Sequence, residues 1–126
     1  MTQTDKQKEH RDFAEQLSQL QHPDQDADDR VFAEAWGWTL PLHGAARSEL
    51  GRLERNGLAG FTARFDAALA ALGRLIPEAV WKAGNDGGPN AEVYDPRTGR
   101  SFTSVGATPA LALLSAAFHV LSMPKQ

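Results

Sequence analysis

Apolar positions recur every three or four residues in two long stretches of the chain and more thinly in three others. The strongest stretch runs from Gly106 to Leu121, where Leu111, Leu114, Phe118 and Leu121, flanked by Ala110, Leu113, Ala117 and Val120, share one side of a helix. Thr108 is placed to cap it, its hydroxyl accepting from a first-turn amide, and Pro109 sits where its missing N–H costs nothing. The opposite side carries Ala112, Ser115, Ala116 and His119, so Leu114→Asp is expected to unfold the chain and Ser115→Asp to cost much less. The second strong stretch is Phe61 to Ile76, where Phe61, Phe65, Leu69, Leu72 and Ile76 form one stripe that Pro77 ends.

The thinner stretches come earlier. Thr4 to Gln21 reads as a polar helix capped by Thr4, with Phe13, Leu17 and Leu20 on one face. Three anchors make a narrow stripe, so residues 1–22 are expected to form a peripheral arm whose removal leaves a 23–126 domain intact. Residues 22–29 read as a loop whose acidic residues cap a short helix over Arg30 to Trp36, closed by Gly37. Asp24, Asp26 and Asp28 alternate like calcium ligands, but Asp29 stands where such a loop needs glycine. His43 to Asn56 reads as a surface helix with Leu50 and Leu53 inward, ended by Gly57.

After Pro77 the period changes to two. Strands are expected near 78–83, 91–95 and 100–105, separated by a turn-rich loop at 85–90 and a tight hairpin at 95–100 built on Pro96 and Gly99. The fold class is therefore α+β: a three-stranded antiparallel meander covered by helices, in α-β-β-β-α order at the C-terminal end, with extra N-terminal helices.

Composition narrows the function. The chain of 126 residues contains no cysteine, which removes disulfides, thiolate catalysis and cysteine-bound metal. No segment is apolar for long enough to span a bilayer, and no secretory leader opens the sequence, so a cytoplasmic location is expected. No Gly-x-Ser-x-Gly elbow and no lysine-bearing glycine loop is present, and His10, His22, His43 and His119 are too scattered to share a metal. No catalytic residue, cofactor or metal is expected. His119 reads as a half-buried structural histidine.

Residues 1–42 hold four basic and nine acidic side chains, and residues 43–105 hold eight and seven. Neither part offers the basic surplus that phosphate binding requires, so strong nucleic-acid binding is not expected. Trp36 and Trp38 could stack on a partner, and Arg97 and Arg100 on the hairpin could contribute charge; these four residues are the candidate partner surface.

Three blocks taken together carry a resemblance: residues 29–38 (DRVFAEAWGW), 61–69 (FTARFDAAL) and 107–117 (ATPALALLSAA). Their order is similar to that of the small phage and prophage "ABA sandwich" proteins, a family without an established activity. The resemblance covers roughly residues 28–121 and departs in a longer connection over residues 40–60. It implies a phage-derived accessory protein that acts by contact with a protein partner, or as a homo-oligomer, and it transfers no catalytic residue. The helix–three strands–helix order also resembles double-stranded-RNA-binding domains and HicB-type antitoxins, which is the alternative reading. However, residues 108–112, where an RNA-binding domain of that kind carries lysines, hold no charge.

Overall fold

The computed structural model describes residues 4–124. In chain order the elements are α1 (Asp5–Gln19), α2 (Gln25–Trp36), α3 (Ala45–Arg55), α4 (Phe65–Leu75), β1 (Val80–Gly84), β2 (Asn90–Asp95), β3 (Arg100–Val105) and α5 (Pro109–Ser122). The strands form one antiparallel sheet in the order β1-β2-β3. The α+β class and the C-terminal α-β-β-β-α order are those the apolar pattern predicts.

Helix α5 is the centre of the molecule. Its start follows the local signals: Thr108 is the N-cap and accepts from the Leu111 amide at 3.1 Å, with Pro109 in the first turn. Its surroundings do not follow the helical wheel. Ala112, Ser115 and Ala116, assigned to the polar side, are as buried as Leu111 and Leu114 (all 0% exposed). A helix buried all round needs cover on both sides. The sheet supplies one side through Ala91 and Val93 of β2 and Ser104 of β3, and α1 supplies the other.

The helix expected to form a peripheral arm over residues 1–22 is, as α1, part of the core. Helix α1 buries His10, Phe13, Ala14 and Leu17, a stripe with spacings of three, one and three residues, and packs against α5 more extensively than any other helix does. The small side chains Ala112, Ser115 and Ala116 are what let α1 approach. Phe13 meets Phe118 edge to face, with ring centroids 4.8 Å apart. A polar thread crosses all three layers: Ser115 Oγ donates to the Ala14 carbonyl at 2.8 Å and lies 2.7 Å from Ser104 Oγ. Since Ser115 has one hydroxyl proton, Ser104 is the donor in the second bond.

Helix α2 begins at Gln25, five residues before the sequence pattern suggests, because Asp24 rather than a later residue is its cap: its carboxylate accepts from the Ala27 amide at 2.9 Å. That places Asp26 and Asp28 inside the first turn and Asp24 at its head. Asp28 accepts from the Thr62 amide at 2.7 Å, and the Asp24 amide donates to Thr62 Oγ1 at 3.0 Å, which pins the start of α2 to the segment leading into α4. Burial pushes the Asp28 carboxyl above its ordinary range, opposed by the hydrogen bonds that Thr62 makes to Asp28 itself. Helix α4 starts at Phe65 rather than Phe61, yet Phe61 is fully buried from the preceding turn. At the end of α3 the Leu58 and Gly57 amides reach the Leu53 and Glu54 carbonyls, a Schellman cap with Gly57 at φ 70°.

The β2–β3 hairpin closes as expected, with Gly99 at φ 75° and its amide bonded to the Asp95 carbonyl at 2.9 Å. Where β3 turns into α5, Gly106 is required by space rather than by φ. A Cβ there would lie 2.6 Å from the Ala112 nitrogen and 3.0 Å from the Leu111 carbonyl carbon, both rigid helix backbone. Gly106→Ala is therefore expected to destabilise the protein by about 1–3 kcal/mol through overpacking. An unchanged denaturation midpoint would show that this turn relaxes freely.

Candidate functional site

The four residues marked by sequence do not form one surface. Trp36 is packed, stacked on Phe32 at 5.3 Å and tilted against Phe61 at 5.6 Å, while the Arg74 guanidinium caps it at 4.5 Å and donates to the Ala35 carbonyl. Arg100 is 8% exposed and serves as a strut: it donates to Asp95, Thr98 and the Met123 carbonyl, tying the hairpin to the end of α5. Asp95 in turn accepts from the Arg97 amide and the Thr98 hydroxyl, and these donors outweigh burial and lower its pKa. Arg97 is exposed at the hairpin tip. The clefts that include Trp38 share no residue with the cleft that includes Arg97 and Arg100.

Trp38 borders an open cleft of about 620 Å³ between α1 and α2, lined by Lys6, Glu9, Arg30, Ala33, Glu34, Thr39 and Leu40. Its indole Nε1 is buried and has no hydrogen-bond acceptor. The charged lining is largely satisfied from within. Glu34 takes Lys6 at 2.7 Å and His10 at 3.3 Å, while Arg30 donates to the Glu9 carbonyl and lies over the Phe13 ring at 4.3 Å. Because a carboxylate only accepts, His10 Nε2 is the donor in that bond, and its buried Nδ1 has no hydrogen-bond partner.

The His10 hydrogen bond, with the Lys6 bond and both charges adding to it, lowers the Glu34 pKa to about 2 against the opposing effect of burial. A carboxylate depressed in the folded state stabilises above its ordinary pKa and loses that contribution as pH falls through the folded value. Glu34→Gln should therefore lower the melting temperature at pH 7, and the gap from wild type should close as pH falls from about 4.5 to about 2. A gap independent of pH would mean that the charge on Glu34 is not what joins α1 to α2.

His119 is half-buried, as expected, but its environment is aromatic. Its ring lies parallel to Phe102, with centroids 3.9 Å apart and an angle of 15°. Burial lowers its pKa; Glu15 opposes this and Arg11 adds to it.

The surface that stands out is not marked by the sequence: the β1 edge, one of the two edges of the sheet. β1 pairs only with β2, and all five of its residues are exposed. Alternation sorts them. Trp81 and Ala83 share the helix-covered face with Val93 and Ala91, while Val80 and Lys82 share the open face with Tyr94 and Glu92. Val80 is 52% exposed and Trp81 41%, even though Trp81 meets Phe65 edge to face at 5.3 Å. Beside the edge, Leu69, Leu72, Gly73, Glu78, Ala79 and Trp81 line a shallow groove of about 220 Å³. Glu78, at φ 68°, turns the chain sharply from the end of α4 into the strand.

Among the described residues no helix is long and apolar enough to cross a membrane, and no three His, Asp or Glu side chains gather as a metal would need. Comparison of the chain with known protein families, with curated proteins and with solved structures yields no match.

Proposed function

We propose that this chain is a non-catalytic accessory protein of phage or prophage origin, and that it works by protein contact through the β1 edge. One observation carries the reading: a five-residue edge strand exposed at every position, with a tryptophan and a valine among the residues left uncovered. An uncapped edge offers a row of backbone donors and acceptors, and apolar side chains beside it add affinity when another chain aligns there. The charged clefts offer less to a ligand, because Glu34 is already bonded to Lys6 and His10 in one and Asp95 to Arg100 in the other. The phage origin rests on the three sequence blocks alone.

In-cell photocrosslinking tests the contact. A photoreactive residue replacing Val80 should give a discrete protein adduct, and one replacing Arg97 at the hairpin tip should not. Equal yields at the two positions, or a nucleic-acid adduct in place of a protein one, would overturn the reading.

A further inference from the structure

We infer that the partner at the β1 edge is a second copy of this chain, docked antiparallel across a two-fold axis that passes through Trp81. The inference rests on the contact reading above and names its occupant.

The argument is one of register. In an antiparallel pair, residues directly opposite each other lie on the same face of the sheet. A symmetric pairing of β1 with itself that continues the sheet must therefore be centred on a residue, and Val80, Trp81, Lys82 and Ala83 are the centres short of the terminal glycine. Centring on Ala83 sets Trp81 against Asn85 and Val80 against Asp86, both beyond the strand, and so covers neither large apolar side chain. Centring on Lys82 sets the two Lys82 ammonium groups opposite each other, which is destabilising, and spends Val80 on Gly84. Centring on Val80 draws Glu78 into the pairing, yet Glu78 is at φ 68° and cannot extend the strand. Centring on Trp81 avoids all of these problems. It sets Trp81 against the partner's Trp81 on the helix-covered face, Val80 against the partner's Lys82 on the open face, and Ala79 against the partner's Ala83.

This register covers the two large apolar side chains that β1 leaves in water, and it makes a cross-strand aromatic pair of the kind that stabilises sheets. Lys82, a charge of the kind that blunts sheet edges, is accommodated rather than opposed because its counterpart is an aliphatic valine. The result is a continuous six-stranded sheet, three strands from each copy. A pairing this short buries less than a standard interface, so the dissociation constant should be on the order of 10 µM.

Position 80 reads the register directly. Sedimentation equilibrium of the full chain should show wild type in monomer–dimer exchange. Val80→Glu places a carboxylate opposite each Lys82 and should tighten the dimer about tenfold. Val80→Lys opposes two like charges twice and should weaken it about tenfold, and V80K combined with K82E should recover the tight form. Because Val80 is half in water, all three variants should keep the wild-type near-ultraviolet dichroism. A strictly monomeric wild type up to about 1 mM would overturn the inference. So would a dimer indifferent to both single charges, as the Lys82-centred pairing or another surface predicts, or one weakened by both, as the Val80-centred pairing predicts. In each of these cases the in-cell crosslink at position 80 still decides the contact reading separately.

Discussion

Deleting residues 1–22 is expected to abolish the cooperative native state. The deletion removes Phe13, Ala14 and Leu17, each at most 1% exposed, and with them the cover over Phe118, Ala112 and Ala116. Burying a phenylalanine or leucine side chain contributes roughly 1.5–3 kcal/mol, so the two large residues alone account for about 3–6 kcal/mol. Whole domains of this size are stable by only about 5–15 kcal/mol. The deletion also leaves the Ser115 hydroxyl without its acceptor on Ala14 and removes the Lys6 and His10 bonds to Glu34. Near-ultraviolet circular dichroism and a thermal melt decide the matter. A truncated chain with native dichroism and a sharp transition would show that α5 can do without α1.

The second large effect is at Ser115. Ser115→Asp should unfold the protein as fully as Leu114→Asp does, although the helical wheel sets the two residues on different sides. Both are 0% exposed, and an aspartate at 115 would face the Ala14 carbonyl and Ser104 Oγ with no cation nearby in its hydrogen-bonding shell. An unpaired buried carboxylate is among the costliest substitutions a core can receive. Ser115→Ala isolates the polar thread from the charge. It should cost about 1–2 kcal/mol for the lost bonds and leave the fold intact. If Ser115→Asp melted near wild type while Leu114→Asp did not, the α1–α5 interface would have to be wet or open.

What could be read from the chain was what is decided locally. Thr108 and Pro109 start α5 through contacts within one turn, and Gly37, Gly57 and Gly99 take up the left-handed angles that their turns need. The errors arise where the answer lies elsewhere in the chain. A helical wheel ranks faces by polarity, but it cannot register that an alanine-and-serine face is small enough for a second helix to lie against it. Ser115 therefore looked solvated when it was central. The apolar pattern starts α2 late because Gln25, Asp26, Asp28 and Asp29 carry no apolar period, whereas the cap residue Asp24 is held in place by Thr62, far along the chain.

The exposed β1 edge escapes the sequence reading for a different reason. Trp36, Trp38, Arg97 and Arg100 were marked by residue type, and two of them, Trp36 and Arg100, are held inside the fold by Arg74, Phe61 and Asp95. The informative signal was topological. A three-stranded meander always leaves its first and last strands at the edges, so placing Trp81 in the first strand was enough to place a tryptophan at an edge.

The packing of α1 on α5 also sets an order of events during synthesis. At about 5–20 residues per second, roughly 5–20 s separate the emergence of Gln19 from that of Ser122, and through that interval α1 can meet Arg30 and Glu34 of α2 but lacks α5, its main packing partner. Helix α1 alone is too short to persist in water, and its stripe is drawn to any other apolar surface within reach. The fold cannot close from its N-terminal end; it waits for its last helix, and the nascent chain depends on being kept from aggregation until then.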